Sequence, residues 1–164
     1  MILSMIRHRF GFTLIELLIA VVIIGILAAI GLGQFHTAQI RSRDAQRKEN
    51  LSSVAKALEM YYNDHGRYPD NLVWGSSLED DDGQGTIYIK DLPNDPSAGA
   101  NYFYQTDEES AGYYKLYAYI EHGSDRCFAE GGQCLEDGYS DTDCGSGRLC
   151  RYCLASPNAS CDDE

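Results

Sequence analysis

The sequence predicts an α+β protein. One long N-terminal helix, membrane-spanning in its first half, packs on a small antiparallel sheet, and a disulfide-rich tail closes the chain. Three observations carry this. Residues 12–32 form an apolar run with one ionisable side chain, Glu16. A helical and then a two-residue periodicity follow it. All six cysteines lie between Cys127 and Cys161.

The apolar run comes first. As a helix its 21 residues would be roughly 32 Å long, about one bilayer core. It exceeds the apolar core of a secretory signal, about 7–15 residues, although a small-x-small site near Ala29–Gly33 leaves cleavage there open. Counting Lys and Arg, with Arg7 and Arg9 before the run and Arg41, Arg43, Arg47 and Lys48 after it, places the C-terminal part in the cytoplasm. The clustered cysteines place it in an oxidising space instead, and we give them precedence. The basic residues then lie along a helix leaving the membrane. Glu16 has no place in a plain anchor, because a carboxylate in hydrocarbon costs several kcal/mol.

The helix continues beyond the run. Leu51, Val54, Ala55, Leu58, Tyr61 and Tyr62 recur at helical spacing, with basic and polar residues on the other side. Gly66 and Pro69 in NDHGRYPD end it. From Phe12 to about Tyr62 it would extend roughly 77 Å. Gly25, Gly31 and Gly33 interrupt it, each costing about 1 kcal/mol relative to alanine. Both local flexibility and close helix packing through small residues fit such a pattern.

Residues 70–100 read as loop with one short strand in GTIYIKDL, followed by the turn LPNDP. Tyr102–Gln105 is a strand, DEESAG a turn, and Tyr113–Glu121 a second strand. In the latter Tyr114, Leu116, Ala118 and Ile120 face one way, and Tyr113, Lys115, Tyr117, Tyr119 and Glu121 the other. The hairpin should lay its apolar face on the amphipathic half of the helix.

The tail runs Cys127-x6-Cys134-x9-Cys144-x5-Cys150-x2-Cys153-x7-Cys161. An even number of cysteines behind a membrane segment reads as disulfides, and six allow about 15 pairings. Residues 141–150 resemble the DxDCxxGxxC repeat of small secreted disulfide modules. Cys150-x2-Cys153 is also half of a zinc motif, but no second CxxC accompanies it.

Charge and composition exclude other classes. Net charge is −12, and residues 57–164 carry 22 acids against 6 bases. Phosphate binding needs a cationic footprint, so nucleic acid is not the main partner. His36, His65 and His122 stand in no visible nucleophile or metal constellation, and neither a phosphate-binding glycine loop nor a metalloprotease motif is present, so no enzyme is expected.

The stretch Arg9-Phe10-Gly11-Phe12-Thr13-Leu14-Ile15-Glu16 resembles the prepilin motif of type IV pilins and type II secretion pseudopilins. The resemblance implies cleavage between Gly11 and Phe12 by a prepilin peptidase and N-methylation of Phe12. It implies assembly on a pilus or secretion platform into a homo-oligomeric filament, with Glu16 pairing to a neighbour's Phe12 amine. Pairing relieves two buried charges at once and fixes register. The chain then divides into leader 1–11, transmembrane and filament-core helix 12–34, pilin head 35–122 and Cys-rich tail 123–164. It resides in the inner membrane, with its head outside the cytoplasm, before assembly. Where many pilins carry a proline, this chain has Gly33, and the stretch in which pilin helices lose helicity corresponds to Gly25–Gly33. Tyr68-Pro69-Asp70-Asn71-Leu72, Asp95-Pro96 and the aromatic hairpin are similar to the major pseudopilin and related short pilins. Those often bind calcium after the hairpin. IEHGSDRCFAEGGQC departs from their loop, so Glu121 and Asp125 are named only as candidate ligands and no cofactor is assigned. The alternative reading is a monotopic membrane-anchored extracytoplasmic protein whose tail binds a ligand or zinc.

Overall fold

The computed structural model describes residues 11–80, 85–107, 110–122, 133–134, 138–139 and 142–161, without side chains at 30–33 and 133–134. The chain divides into two compact units, Met1–Gln39 and Ile40–Glu164.

Helix α1, Leu14–His65, contributes to both units. In the first unit its described side chains from Leu14 to Leu27 are exposed, and it is long and apolar enough to cross a membrane. It runs through Gly25, Gly31 and Gly33 without a break. A Cβ at Gly25 would meet nothing within 4 Å. The helix ends three residues later than the periodicity suggests. Gly66, at φ 68°, supplies the left-handed cap, and its N–H donates to Tyr62 O at 2.7 Å.

The second unit is built on the other half of α1. Leu51, Val54, Leu58 and Tyr61 are buried there, as the spacing requires; Ala57, not expected on that face, is buried with them, Ala55 is only partly buried, and Tyr62 is exposed and stacks on Tyr68. Two small sheets follow. Strands β1 (Leu78–Glu79) and β2 (Ile87–Ile89) pair antiparallel; β2 is the strand expected in GTIYIKDL, and β1 was not foreseen. The larger sheet has strand order β3-β4-β6-β5, from β3 (Phe103–Thr106), β4 (Tyr114–Ala118), β5 (Gln133–Cys134) and β6 (Tyr152–Ala155). The β3–β4 hairpin is the expected one, starting one residue later on each strand and ending sooner on the second.

The β4 alternation places the two faces of this sheet. Tyr114, Leu116 and Ala118, with Ile120 just beyond, join the core around α1. Tyr117 faces the opposite way, into a second cluster with Tyr139, Cys144, Cys150, Cys153 and Cys161. The cysteine segment therefore adds a strand to the hairpin and covers its outer face. Lys115↔Ala155 through Ala118↔Tyr152 sets that register. The segment also docks on residues 99–101. Asn101 N–H donates to Cys144 O at 2.8 Å, and the Ser146 hydroxyl to Gly99 O at 2.9 Å. Gly145, at φ 93°, permits the approach, since a Cβ there would strike Gly99 O and the Ala100 Cα.

Two disulfides join described residues, Cys144–Cys150 and Cys153–Cys161. They overturn the zinc reading of Cys150 and Cys153, because each thiolate that motif needs is spent on a different partner. Cys127 lies outside the described residues, as does the side chain of Cys134.

Candidate functional site

The N-terminal site is local. Thr13 precedes the helix and Glu16 is its third residue. The Thr13 N–H donates to Glu16 Oε2 at 2.8 Å, and the Thr13 hydroxyl donates to the same oxygen at 2.7 Å. The Glu16 N–H returns a bond to Thr13 Oγ1 at 3.3 Å. This is a capping box, in which a side chain at each end satisfies an orphan donor of the first turn. Its signature, Thr-x-x-Glu before an apolar run, stands in the sequence and went unread. The cap engages Oε2 alone and leaves Oε1 available to a second donor. Phe12 itself is 87% exposed, and Gly11 before it is also exposed.

A second polar site lies inside the head. Counting back from Tyr61, buried residues recur along α1 at 58, 54, 51, 47 and 44, alternating three and four residues apart, with Ala57 buried beside Leu58. Arg47 and Asp44 thus continue the apolar stripe, against the expectation that basic and polar residues fill the far side. Both side chains have 0% exposure. Arg47 spends its whole fork on the interior. Nε and Nη2 bind the two oxygens of Asp95 at 2.7 and 3.0 Å. Nη1 donates to Asp44 at 2.7 Å and Glu121 at 2.9 Å, and Nη2 reaches the Ser97 hydroxyl at 2.7 Å. Arg43 clamps Glu121 in the same way, at 2.8 and 2.6 Å.

Asp44 does more than balance charge. Its two oxygens accept the backbone N–H groups of Glu121 and His122 at 3.0 and 2.9 Å. The helix thereby holds the chain just after the hairpin. The bonds from Arg43 bring Glu121 down to about 2 against opposing burial, with Arg47 adding to the effect. Burial works against the Arg47 cation, but the bonds and field of Asp95, together with bonds to Glu121 and Asp44, outweigh it and raise its pKa.

The structure places Glu121, one of the two residues named for calcium, in the arginine cluster, where both carboxylate oxygens accept from guanidinium. Asp125 lies outside the described residues. Among the described residues, no group of three or more His, Cys, Asp or Glu side chains is arranged to hold a metal.

Comparison with known proteins agrees with this division. Residues 6–32 match the prokaryotic N-terminal methylation motif, and residues 34–133 match type II secretion system protein G. The type II secretion system core protein G of Pseudomonas aeruginosa is 33% identical over 98 residues, covering 55% of this chain and 69% of that protein. The type IV major pilin protein PilA of Myxococcus xanthus is 47% identical over 64 residues, 39% of this chain and 29% of PilA. The type IV wide pilus major component PilA4 of Thermus thermophilus is 42% identical over 65 residues, covering 50% of its length. This chain therefore spans well under two thirds of the pilins it matches. No solved structure matches it. The match to protein G stops just before Cys134, so most of the cysteine segment lies beyond it. With more than half its length matched to that family, the chain belongs to the type II secretion system protein G family, within the wider group that carries the pilin methylation motif.

Proposed function

We propose that this chain is a structural subunit of a pilus-like or pseudopilus filament, and not an enzyme. The observation that carries the proposal is the join of a methylation-motif helix, apolar and exposed through its first unit, to a protein G head. An exposed apolar helix needs either lipid or other helices around it. The subunit waits in the inner membrane, head outside the cytoplasm, and exchanges lipid for neighbouring helices when an assembly platform adds it to the filament.

Processing by a prepilin peptidase between Gly11 and Phe12 creates a cationic amine on Phe12, which is then methylated. Glu16 is prepared to receive it. The capping box holds Oε2 on Thr13 and leaves Oε1 for a neighbour's amine. Pairing removes the cost of two charges in an apolar environment, and its geometry sets the axial step between subunits. Gly25, Gly31 and Gly33 let the helix adapt or pack closely during that exchange.

The N-terminal sequence and intact mass of the protein from its native membrane test this. A chain that begins with methylated Phe12 and lacks six hydrogens supports the processing and three disulfides. A chain that begins at Met1 or near Gln34 overturns it. Replacing Glu16 with alanine should leave membrane insertion intact while filament yield falls; a normal yield from that variant removes the pairing step.

A further inference from the structure

The head is strongly acidic, yet its few bases are gathered on one helix. Residues 41–56 hold five, Arg41, Arg43, Arg47, Lys48 and Lys56. Two of these, Arg43 and Arg47, are committed to Glu121, Asp95 and Asp44 inside the head. The other three are spaced by seven and eight residues, which puts them within about 80° of one another around the helix. Arg41 and Lys56 are exposed. Lys48 and Lys56 line a groove of about 320 Å³ beside β6, with Ser52, Ser53, Tyr152 and a single carboxylate, Glu49. The Lys48 ammonium lies 5.9 Å from the centroid of the Tyr152 ring, which forms part of the groove wall.

We infer that this basic groove is a contact between subunits, and that its occupant is the acidic head of a second copy of the chain. The inference rests on the filament reading and adds a specific partner surface to it. The argument is charge complementarity. From residue 57 onward there are 22 acids against 6 bases, so heads brought together at random repel. At physiological salt that repulsion is felt over about 8 Å, so it acts on heads packed against one another. Setting the basic side of α1 against acidic surface of the next copy removes the repulsion and favours one orientation. Exposed carboxylates such as Asp70, Glu79 and Asp91 lie outside the groove lining and offer the complement. A contact between two different patches is heterologous, and such contacts propagate into open helical assemblies when the rotation does not close.

Lys56→Glu tests the idea, because the side chain is exposed and makes no part of either core. The full chain is expressed with its assembly machinery, and sheared filaments are quantified for wild type, Glu16→Ala and Lys56→Glu. Wild-type filaments mixed from light and heavy isotope-labelled subunits are also treated with a zero-length carbodiimide. We expect Lys56→Glu to cut filament yield by about tenfold or more, because placing like charges together at an interface is strongly unfavourable. We also expect mixed-label crosslinks joining Lys48 or Lys56 to an Asp or Glu of another subunit. Unchanged yield, or crosslinks confined within one subunit, overturns the groove contact while leaving the filament standing. Absence of wild-type filaments overturns the filament reading and this contact with it.

Discussion

Replacing Arg47 with methionine should be among the most damaging single changes in the head. Methionine keeps much of the volume and helix propensity, so the loss is one of charge and hydrogen bonds. Five bonds disappear: two to Asp95 and one each to Asp44, Glu121 and Ser97. Asp44 and Asp95 are left buried and without the guanidinium that bonds them, with Arg43 near Asp44 only. Removing one partner of a buried ion pair costs about 3–5 kcal/mol, mostly the penalty of the stranded charge. Asp44 still accepts from the Glu121 and His122 backbone, and Asp95 still accepts the Ser97 N–H at 2.8 Å, which favours the lower half of that range. A unit of this size gains roughly 0.26 kcal/mol/K of unfolding entropy, so about 3–4 kcal/mol lowers Tm by about 12–15 °C. Thermal unfolding of the full chain in detergent, followed by the near-ultraviolet circular dichroism of its tyrosines, reads this directly. Arg47→Met combined with Asp95→Asn should cost less than the two changes added, with a coupling of about 0.5–3 kcal/mol. A fall in Tm under about 4 °C for Arg47→Met, or strict additivity in the cycle, refutes the view that the cluster is a coupled buried network.

The same cluster sets an acid limit. Glu121 is held down at about 2 from an ordinary 4.5, first by its bonds from Arg43, so its contribution is complete above pH 4.5 and drains away as pH falls toward 2. Arg43→Gln should move the acid unfolding midpoint upward while leaving stability at pH 10 less affected than Arg47→Met does; an unshifted acid limb would sink the assignment. The cysteine segment gives another test. Breaking Cys153–Cys161 with paired alanines opens a loop with a sequence separation of 8, worth about 2.5 kcal/mol of chain entropy. Amide exchange of β6 should then rise well above that of the α1 core. Equal protection of the two would mean that β6 stands without its staple.

Much of this was legible in the sequence, and for definite reasons. A stripe at Leu51, Val54, Leu58 and Tyr61 has one physical solution, a helix buried on one face. The alternation from Tyr114 to Ile120 likewise has one, a strand with two unlike faces. What escaped is more instructive. β6 is four residues long and bracketed by half-cystines, so composition marked it as tail; Tyr152, Cys153 and Leu154 are all apolar and show no alternation in sequence, although Tyr152 and Leu154 meet the α1 core and Cys153 the opposite cluster. A two-residue strand such as β1 offers no period to detect. Arg47 and Asp44 were misplaced because charge was taken as a sign of exposure. Their position in the three-four rhythm of the stripe was the better guide, and an acid three residues before an arginine on that stripe was the clue to pairing. The capping role of Glu16 was overlooked because a single striking carboxylate invited a single explanation.

The buried cluster and the cysteine segment solve one problem from two ends. The stretch between β4 and β6 is long, and nearly half of it lies outside the described residues. Its start is held where Asp44 takes the N–H groups of Glu121 and His122. Its end is held where β6 joins β4 and the disulfides close beneath Tyr117. Hydrophobic contact alone would tolerate a slip of α1 by one turn, because the stripe repeats every three or four residues and one apolar side chain replaces another from Leu51 to Tyr61. The ionic positions do not repeat. A one-turn slip would drive Leu51 toward Asp95 and Glu121 and push Arg47 out of their reach, stranding the carboxylates. Fixing register is the best-attested use of buried charge. The apolar stripe alone cannot tell the head where along α1 it sits, and the buried ionic cluster can.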